Sequence, residues 1–202
     1  MKLTDITVLS TGAFAVNTVL LAYGDEAFIV DPGAEASRIR NELDRRGLKP
    51  VGILLTHAHF DHIGAVPELL TAYPALAVRV GPEDRMMIGH PLNAYPPDYP
   101  LVRGDWRYAE GAFTRGEVIP VPGHTPGGVA YYFPEDALLL SGDTLFAGSV
   151  GRTDLPGGDF ATLRTSLKRL CELPPDTRII PGHGGETQLA EELRSNPFLS
   201  HL

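Results

Sequence analysis

Apolar residues in the first third of the chain come in short runs, 6–9, 18–22 and 27–30, separated by turn-forming residues, with Gly24-Asp25 dividing the last two as a hairpin turn would. This spacing predicts antiparallel strands. From 35 to 46 the pattern changes: Ile39 and Leu43 stand four apart among charged residues, the period of an amphipathic helix. Gly47 then leads into the continuous apolar run 51–55, which reads as a buried strand. Residues 63–73 read as a second helix and 77–80 as a strand, and Pro82 is placed to open a further helix through residue 88. The second half repeats the habit with strands over 118–121, 129–133 and 137–140, a helix over 160–171, a strand over 178–180 and a last helix over 186–194. Strands followed by helices, twice over, predict an α+β fold: an αββα sandwich of two mixed sheets flanked by helices, with internal two-fold pseudo-symmetry, as one domain over residues 1–202.

Between the halves the periodicity fails. Residues 90–107 hold Pro91, Pro96, Pro97 and Pro100 beside Tyr95, Tyr99 and Trp106, too many prolines for an element and too many aromatics for an ordinary linker. A lid or an association surface fits this composition, as does a loop packed on the body, and if the protein is a homodimer the stretch from Tyr95 to Trp106 is the surface to inspect.

Charge and cysteine content narrow the partners. The formal net charge is -8 and the 17 lysines and arginines are dispersed, so no clustered basic surface for nucleic acid is visible, and the expected partner is a small molecule. The N-terminal residues lack a secretory pattern and no apolar run approaches the roughly twenty residues that span a bilayer, so no membrane partner is expected and the expected location is the cytoplasm. Cys171, the lone cysteine, cannot form an internal disulfide; at helical spacing from Leu163, Leu167 and Leu170 it reads as core packing.

The chemistry is concentrated in Thr56-His57-Ala58-His59-Phe60-Asp61-His62, where four candidate metal donors fall within six residues. Imidazole and carboxylate are ligands of zinc and its neighbours, and donors so close in sequence converge with little loop-closure cost. Three more candidates, His124, Asp143 and His183, lie in the glycine-bearing stretches Pro122-Gly123-His124, Ser141-Gly142-Asp143 and Pro181-Gly182-His183-Gly184, each shortly after an expected strand, as His57 is. Loops at strand ends are held by a rigid sheet, and glycines let backbones approach a crowded centre. His90 and His201 do not share the pattern: one sits in the proline-rich stretch, the other in the tail.

The H-x-H-x-D-H tract with the later His, Asp and His resembles the metallo-β-lactamase superfamily, from Val30-Asp31-Pro32-Gly33 to the loop around His183. The resemblance implies that His57, His59 and His124 hold one metal, that Asp61, His62 and His183 hold a second, that Asp143 bridges them, and that Asp31 supports the ligand loop from below. Within the superfamily, the tract from Gly148 to Gly158 is similar to the compact glyoxalase-II-like hydrolases, relatives of hydroxyacylglutathione hydrolase. β-Lactamases of this fold commonly carry a cysteine ligand where this chain has Asp143, which points away from antibiotics. The C-terminal helical domain with which larger hydroxyacylglutathione hydrolases contact glutathione has no counterpart in these 202 residues.

Two divalent ions, zinc first and iron or manganese also suited to a nitrogen and oxygen donor set, would leave a centre of net positive charge that attracts an anionic substrate and lowers the pKa of bound water towards 7. Hydrolysis with a metal-bound hydroxide follows, with Asp61 and Asp143 as catalytic carboxylates. With every nearby histidine assigned, no general acid remains for a poor leaving group, which favours a thioester, whose thiol has a pKa of about 8.5. Arg152, after a glycine and close in sequence to Asp143, is the candidate for a substrate carboxylate; an ion pair with Asp154 is its other reading. Two rivals stand: a persulfide dioxygenase with one iron on His57, His124 and Asp143, and a metal-binding protein without turnover.

Overall fold

In the computed structural model, which describes residues 2–90, 93, 102, 104–200 and 202, the first half of the chain forms a five-stranded sheet. β1 (Asp5–Thr11), β2 (Val16–Tyr23) and β3 (Glu26–Val30) are antiparallel, the last two joined by the turn at Gly24-Asp25. α1 (Ala36–Arg46) crosses over and returns the chain as β4 (Lys49–Leu54), parallel to β3. α2 (Phe60–Ile63) and α3 (Val66–Ala72) lead to β5 (Val78–Arg79), parallel to β4 at the sheet edge, and α4 (Pro82–Arg85) follows.

The second half has the same plan. β6 (Glu117–Pro120), β7 (Val129–Phe133) and β8 (Leu138–Gly142) are antiparallel, and a small hairpin of β9 (Leu145–Phe146) and β10 (Ser149–Val150) follows. α5 (Phe160–Cys171) then crosses over to β11 (Arg178–Pro181), parallel to β8. β12 (Thr187–Gln188) lies at the edge and α6 (Leu189–Ser195) ends the fold. Three antiparallel strands, a helix and a parallel strand thus occur twice, which is the expected pseudo-symmetry, and the sheet orders are β1-β2-β3-β4-β5 and β12-β11-β8-β7-β6.

Burial explains the layers. β2 is buried along its whole length because its side chains alternate between two cores. Val19, Leu21 and Tyr23 meet Tyr131, Phe133 and Leu140 of the other sheet, while Leu20 packs with Ile39 and Leu43 of α1 on the outer face. Leu163, Leu167 and Leu170 of α5 cover the outer face of the second sheet. Each such side chain contributes about 1.5–3 kcal/mol by leaving water. Both crossover helices are bounded as their sequences suggest. Asp159 caps α5 by accepting from the Thr162 N–H at 2.7 Å, and α1 ends at Gly47 in the left-handed conformation, with φ at 67°.

Some boundaries differ from the sequence reading. The helix expected over 63–73 is two pieces, because the Ala65 N–H donates to Pro32 O at 2.9 Å instead of back along the helix, and α3 restarts at Val66 with Pro67 in its first turn. The helix expected over 82–88 is the single turn α4, and the last helix starts late because Thr187 and Gln188 pair with β11. Cys171 is half-buried at the end of the stripe, where burial raises its thiol pKa. Trp106 is buried in the core cluster that the first sheet shares with α1 and α3 and is not a surface aromatic; Tyr95 and Tyr99 lie outside the described residues, as does His201. No described helix is long and apolar enough to cross a membrane.

Candidate metal centre

The two-fold plan sets the centre. Asp31 follows β3 and Asp143 follows β8; His57 follows β4 and His183 follows β11, so each half offers a residue after its third strand and one after its parallel strand. The halves are tied together there by hydrogen bonds from the Val129 N–H to Thr56 O at 2.8 Å, and from Asn17, whose N–H donates to Gly182 O at 2.8 Å and whose side-chain amide donates to Pro181 O and Gly184 O at 3.0 and 2.9 Å. Gly182 is obligatory in this packing, since a Cβ on it would lie 2.1 Å from Asp143 Oδ1.

All seven donor residues anticipated from sequence converge. The donor atoms of His57, His59 and His124 lie within 4.8 Å of one another, as do those of Asp61, His62 and His183. Asp143 stands between the sets: its Oδ1 is 3.5 Å from His62 Nε2, and its Oδ2 is 3.6 Å from His124 Nε2 and 3.5 Å from His183 Nε2. Asp61 Oδ2 is 3.4 Å from His183 Nε2. Asp31 is also within reach of His57 and His62, but its oxygens are spent elsewhere: Oδ1 accepts from the Thr56 N–H at 2.7 Å, and Oδ2 from the Thr56 hydroxyl at 2.6 Å and from His62 Nδ1 at 3.0 Å. It is a buttress, held at a positive φ of 44° that costs a non-glycine residue about 1–3 kcal/mol.

The outer hydrogen bonds decide which ring nitrogens carry protons. His62 Nδ1 donates to a carboxylate, and His124 Nδ1 and His183 Nδ1 donate to the carbonyls of Arg152 at 2.7 Å and Phe14 at 2.9 Å, groups that can only accept. The Thr56 hydroxyl, donating to Asp31, accepts from His57 Nδ1 at 3.1 Å. In the neutral form of these four rings each Nε2 therefore faces inward as an acceptor, that of His124 lying 2.9 Å from His59 Nδ1, the pattern in which outer partners orient metal-binding histidines. His62 Nε2 and His183 Nε2 face each other at 3.2 Å, and the buried His57 Nε2 and Asp143 Oδ1 have no hydrogen-bond partner. Such an arrangement needs a cation, and its nitrogen and carboxylate donors fit divalent metal.

Electrostatics separate the two sets: the first is held unprotonated, while the carboxylates beside His62 and His183 draw positive charge to the second, which protons on those rings or a bound cation can supply. Burial first, then the neighbouring histidines, hold His57 well below its ordinary pKa, and burial followed by His124 lowers His59 to about 3. Burial also works against charge on His62, but Asp143 and then Asp31 outweigh it and raise the ring to about 9. His183 rises to about 10, contact with Asp143 and Asp61 overcoming burial. Burial opposes ionisation of Asp143, yet His62 and His183 keep it well below the usual carboxylate range.

A cleft of about 390 Å³ opens on the centre, bordered by His59, Asp61, His124, Asp143, His183 and Arg152, with Phe14, Phe60, Phe146, Val150 and Leu155 as its apolar wall. Arg152 borders the cleft and makes the ion pair with Asp154 that was its second sequence reading, two-pronged with both contacts at 2.7 Å. The exposed His90 belongs to neither donor set. Sequence reasoning passed over Thr56, Asn17 and Asp84, whose roles depend on partners distant in the chain; only Thr56, beside His57, carried a local hint.

Comparison with known proteins adds a family to this geometry. Residues 11–183 match the family described as the metallo-beta-lactamase superfamily. The chain is 38% identical to a Bacillus subtilis protein named probable metallo-hydrolase YqgX, over 95% of this chain and 96% of that one. It is 35% identical to hydroxyacylglutathione hydrolase GloC of Haemophilus influenzae, over 97% and 98%. Among solved structures, TTHA1623 in a di-iron-bound form is 42% identical with a TM-score of 0.88, over 96% of this chain and 100% of that one. BLEG-1 B3 metallo-beta-lactamase is 34% identical with a TM-score of 0.90, over 97% and 100%.

Proposed function

Because the chain belongs to the metallo-β-lactamase superfamily, we propose that its centre holds two divalent ions and hydrolyses a small anionic thioester of the hydroxyacylglutathione type. The observation that carries this reading is the inward convergence of ring nitrogens and carboxylate oxygens, with His57 Nε2 and Asp143 Oδ1 left unpartnered. His57, His59 and His124 hold one ion, Asp61, His62 and His183 the other, and Asp143 is shared, since its oxygens face both sets. Zinc is the first candidate; iron and manganese suit the same donors, and the di-iron form of the relative TTHA1623 supports iron.

When bound, such ions polarise a carbonyl and acidify water. The chain's own residues do the rest. Asp61, at the cleft, orients the attacking water and takes its proton, and Arg152 meets a carboxylate of the substrate. The apolar wall of Phe146, Val150 and Leu155 keeps bulk water from the acyl group. Every titratable side chain among the described cleft residues is then committed to metal, water or substrate, so a leaving group that departs unprotonated is favoured, and a thiolate does so. The name of the relative GloC supports the same class.

The rival with one iron on His57, His124 and Asp143 leaves Asp61, His62 and His183 without a task, which weighs against it. Similarity to a structure named a B3 metallo-beta-lactamase removes the force of the missing cysteine, so a β-lactam belongs in the substrate panel. The test is metal content together with hydrolysis of S-lactoylglutathione. Two ions per chain and turnover that chelation abolishes and metal restores are expected. Fully loaded protein that leaves this thioester intact while cleaving a lactone, a phosphodiester or a β-lactam overturns the substrate class; one iron with oxygen uptake on glutathione persulfide establishes the rival.

A further inference from the structure

Asp84 is fully buried and belongs to neither donor set. It stands on the single turn α4, yet its carboxylate reaches two other loops: Oδ2 accepts from the Ala58 N–H at 2.9 Å and Oδ1 from the Gly127 N–H at 2.6 Å. Ala58 lies between His57 and His59, and Gly127 lies three residues after His124. One carboxylate therefore spans the two loops that supply the all-histidine set, which come from opposite sheets.

The seat is shaped for this contact. A Cβ on Gly81 would fall 1.9 Å from Gly127 O, and a Cβ on Gly127 would fall 2.4 Å from the Asp84 nitrogen and 2.9 Å from its Oδ1, so only a glycine pair lets α4 approach. The peptide of Ala58 is held on its other side as well, by the Asn93 side-chain amide donating to Ala58 O at 2.5 Å. A buried carboxylate is costly unless its oxygens are satisfied, and this one spends both on backbone donors of the ligand loops.

We propose that Asp84 is a positioning residue for the His57, His59 and His124 set: by clamping Ala58 to Gly127 it holds two independent loops at the separation at which three ring nitrogens share one ion. This rests on the reading that the set binds metal. Ligand constellations tolerate errors of only about 0.5 Å, so a clamp acting through the backbone is as consequential as a hydrogen bond to a ligand. Asp31 serves His62 directly; Asp84 serves the other set at one remove.

The test is cobalt(II) titration of chelator-treated protein, followed by visible absorption, with circular dichroism as the check on folding. In Asp84→Asn an amide N–H₂ must face one backbone N–H, and in Gly127→Ala the carboxylate is kept while the added Cβ pushes α4 away. Both variants are expected to bind one cobalt with roughly 10–100-fold lower affinity and the other as wild type does, with unchanged secondary structure. If either folded variant fills both sites as tightly as wild type, even with a lowered melting temperature, or if both sites weaken equally, Asp84 is a structural residue only and the proposal is overturned. Wild-type protein that takes up no cobalt overturns the metal centre itself, a failure visible before any variant is made.

Discussion

Replacing Asp31 by asparagine alters two atoms and should have two separable effects. Asparagine can keep its oxygen on the Thr56 N–H, but its amide then faces the Thr56 hydroxyl and His62 Nδ1, which both donate to Oδ2 in the wild type. Hydrogen bonds to a charged acceptor are worth about 1.5–3 kcal/mol each, so roughly 3–6 kcal/mol is at stake. The hydroxyl can turn to accept, and His62 can move its proton to Nε2 so that Nδ1 accepts; each neutral bond recovers about 1 kcal/mol, leaving a net loss of about 1–4 kcal/mol. The second effect follows from that proton shift, because an N–H on Nε2 then points at the centre, where His183 Nε2 stands 3.2 Å away, and no lone pair remains for an ion. Affinity at the Asp61, His62 and His183 set should fall about 10–100-fold. Urea unfolding of chelator-treated protein reads the first effect, and equilibrium dialysis with elemental analysis reads the second. A variant with the wild-type unfolding midpoint and two tightly held ions would refute the tautomer argument.

Gly182→Ala places a Cβ 2.1 Å from Asp143 Oδ1 and 2.8 Å from His62 Cε1, so a loss of about 1–3 kcal/mol in stability and at least a ~10-fold fall in kcat/KM are expected in unfolding and steady-state assays. Arg152→Ala should raise KM for S-lactoylglutathione about tenfold, the value of ~1.4 kcal/mol, with kcat little changed; because the Asp154 pair is exposed, stability should barely move, and a fall in melting temperature without a change in KM would reduce the residue to that ion pair. Glu42 is held at about 2, below its usual 4.5, by Arg45 first and then Arg46. A depressed carboxylate stabilises the fold above its unfolded pKa and loses that contribution as pH falls through its folded pKa, so Glu42→Gln should cost under about 1 kcal/mol at pH 7 and nothing below about pH 2, as unfolding midpoints across that window would show.

The sequence by itself determined the donors and the layers. Ile39 with Leu43, and Leu163 with Leu167 and Leu170, carry the helical period that seats α1 and α5 on the sheets, and the H-x-H-x-D-H tract names four donors through local spacing alone. The other three donors were legible because glycines and strand ends flank them. Local pattern could not show that the Ala65 N–H leaves the helix for Pro32 O, or that Thr187 and Gln188 leave the last helix to pair with β11. Nor could it show that residues 145–150 form a hairpin, since two-residue strands have no period to detect. The buttresses were hidden for the same reason: Asn17 reaches Gly184 and Asp84 reaches Gly127, contacts across 167 and 43 positions that exist only after two sheets have packed. Tertiary structure also decided that the outer nitrogens of His62, His124 and His183 carry a proton, because Asp31, Arg152 O and Phe14 O meet them as acceptors. Periodicity and spacing are properties of neighbours in the chain, whereas hydrogen-bond satisfaction in a buried centre is a property of neighbours in space.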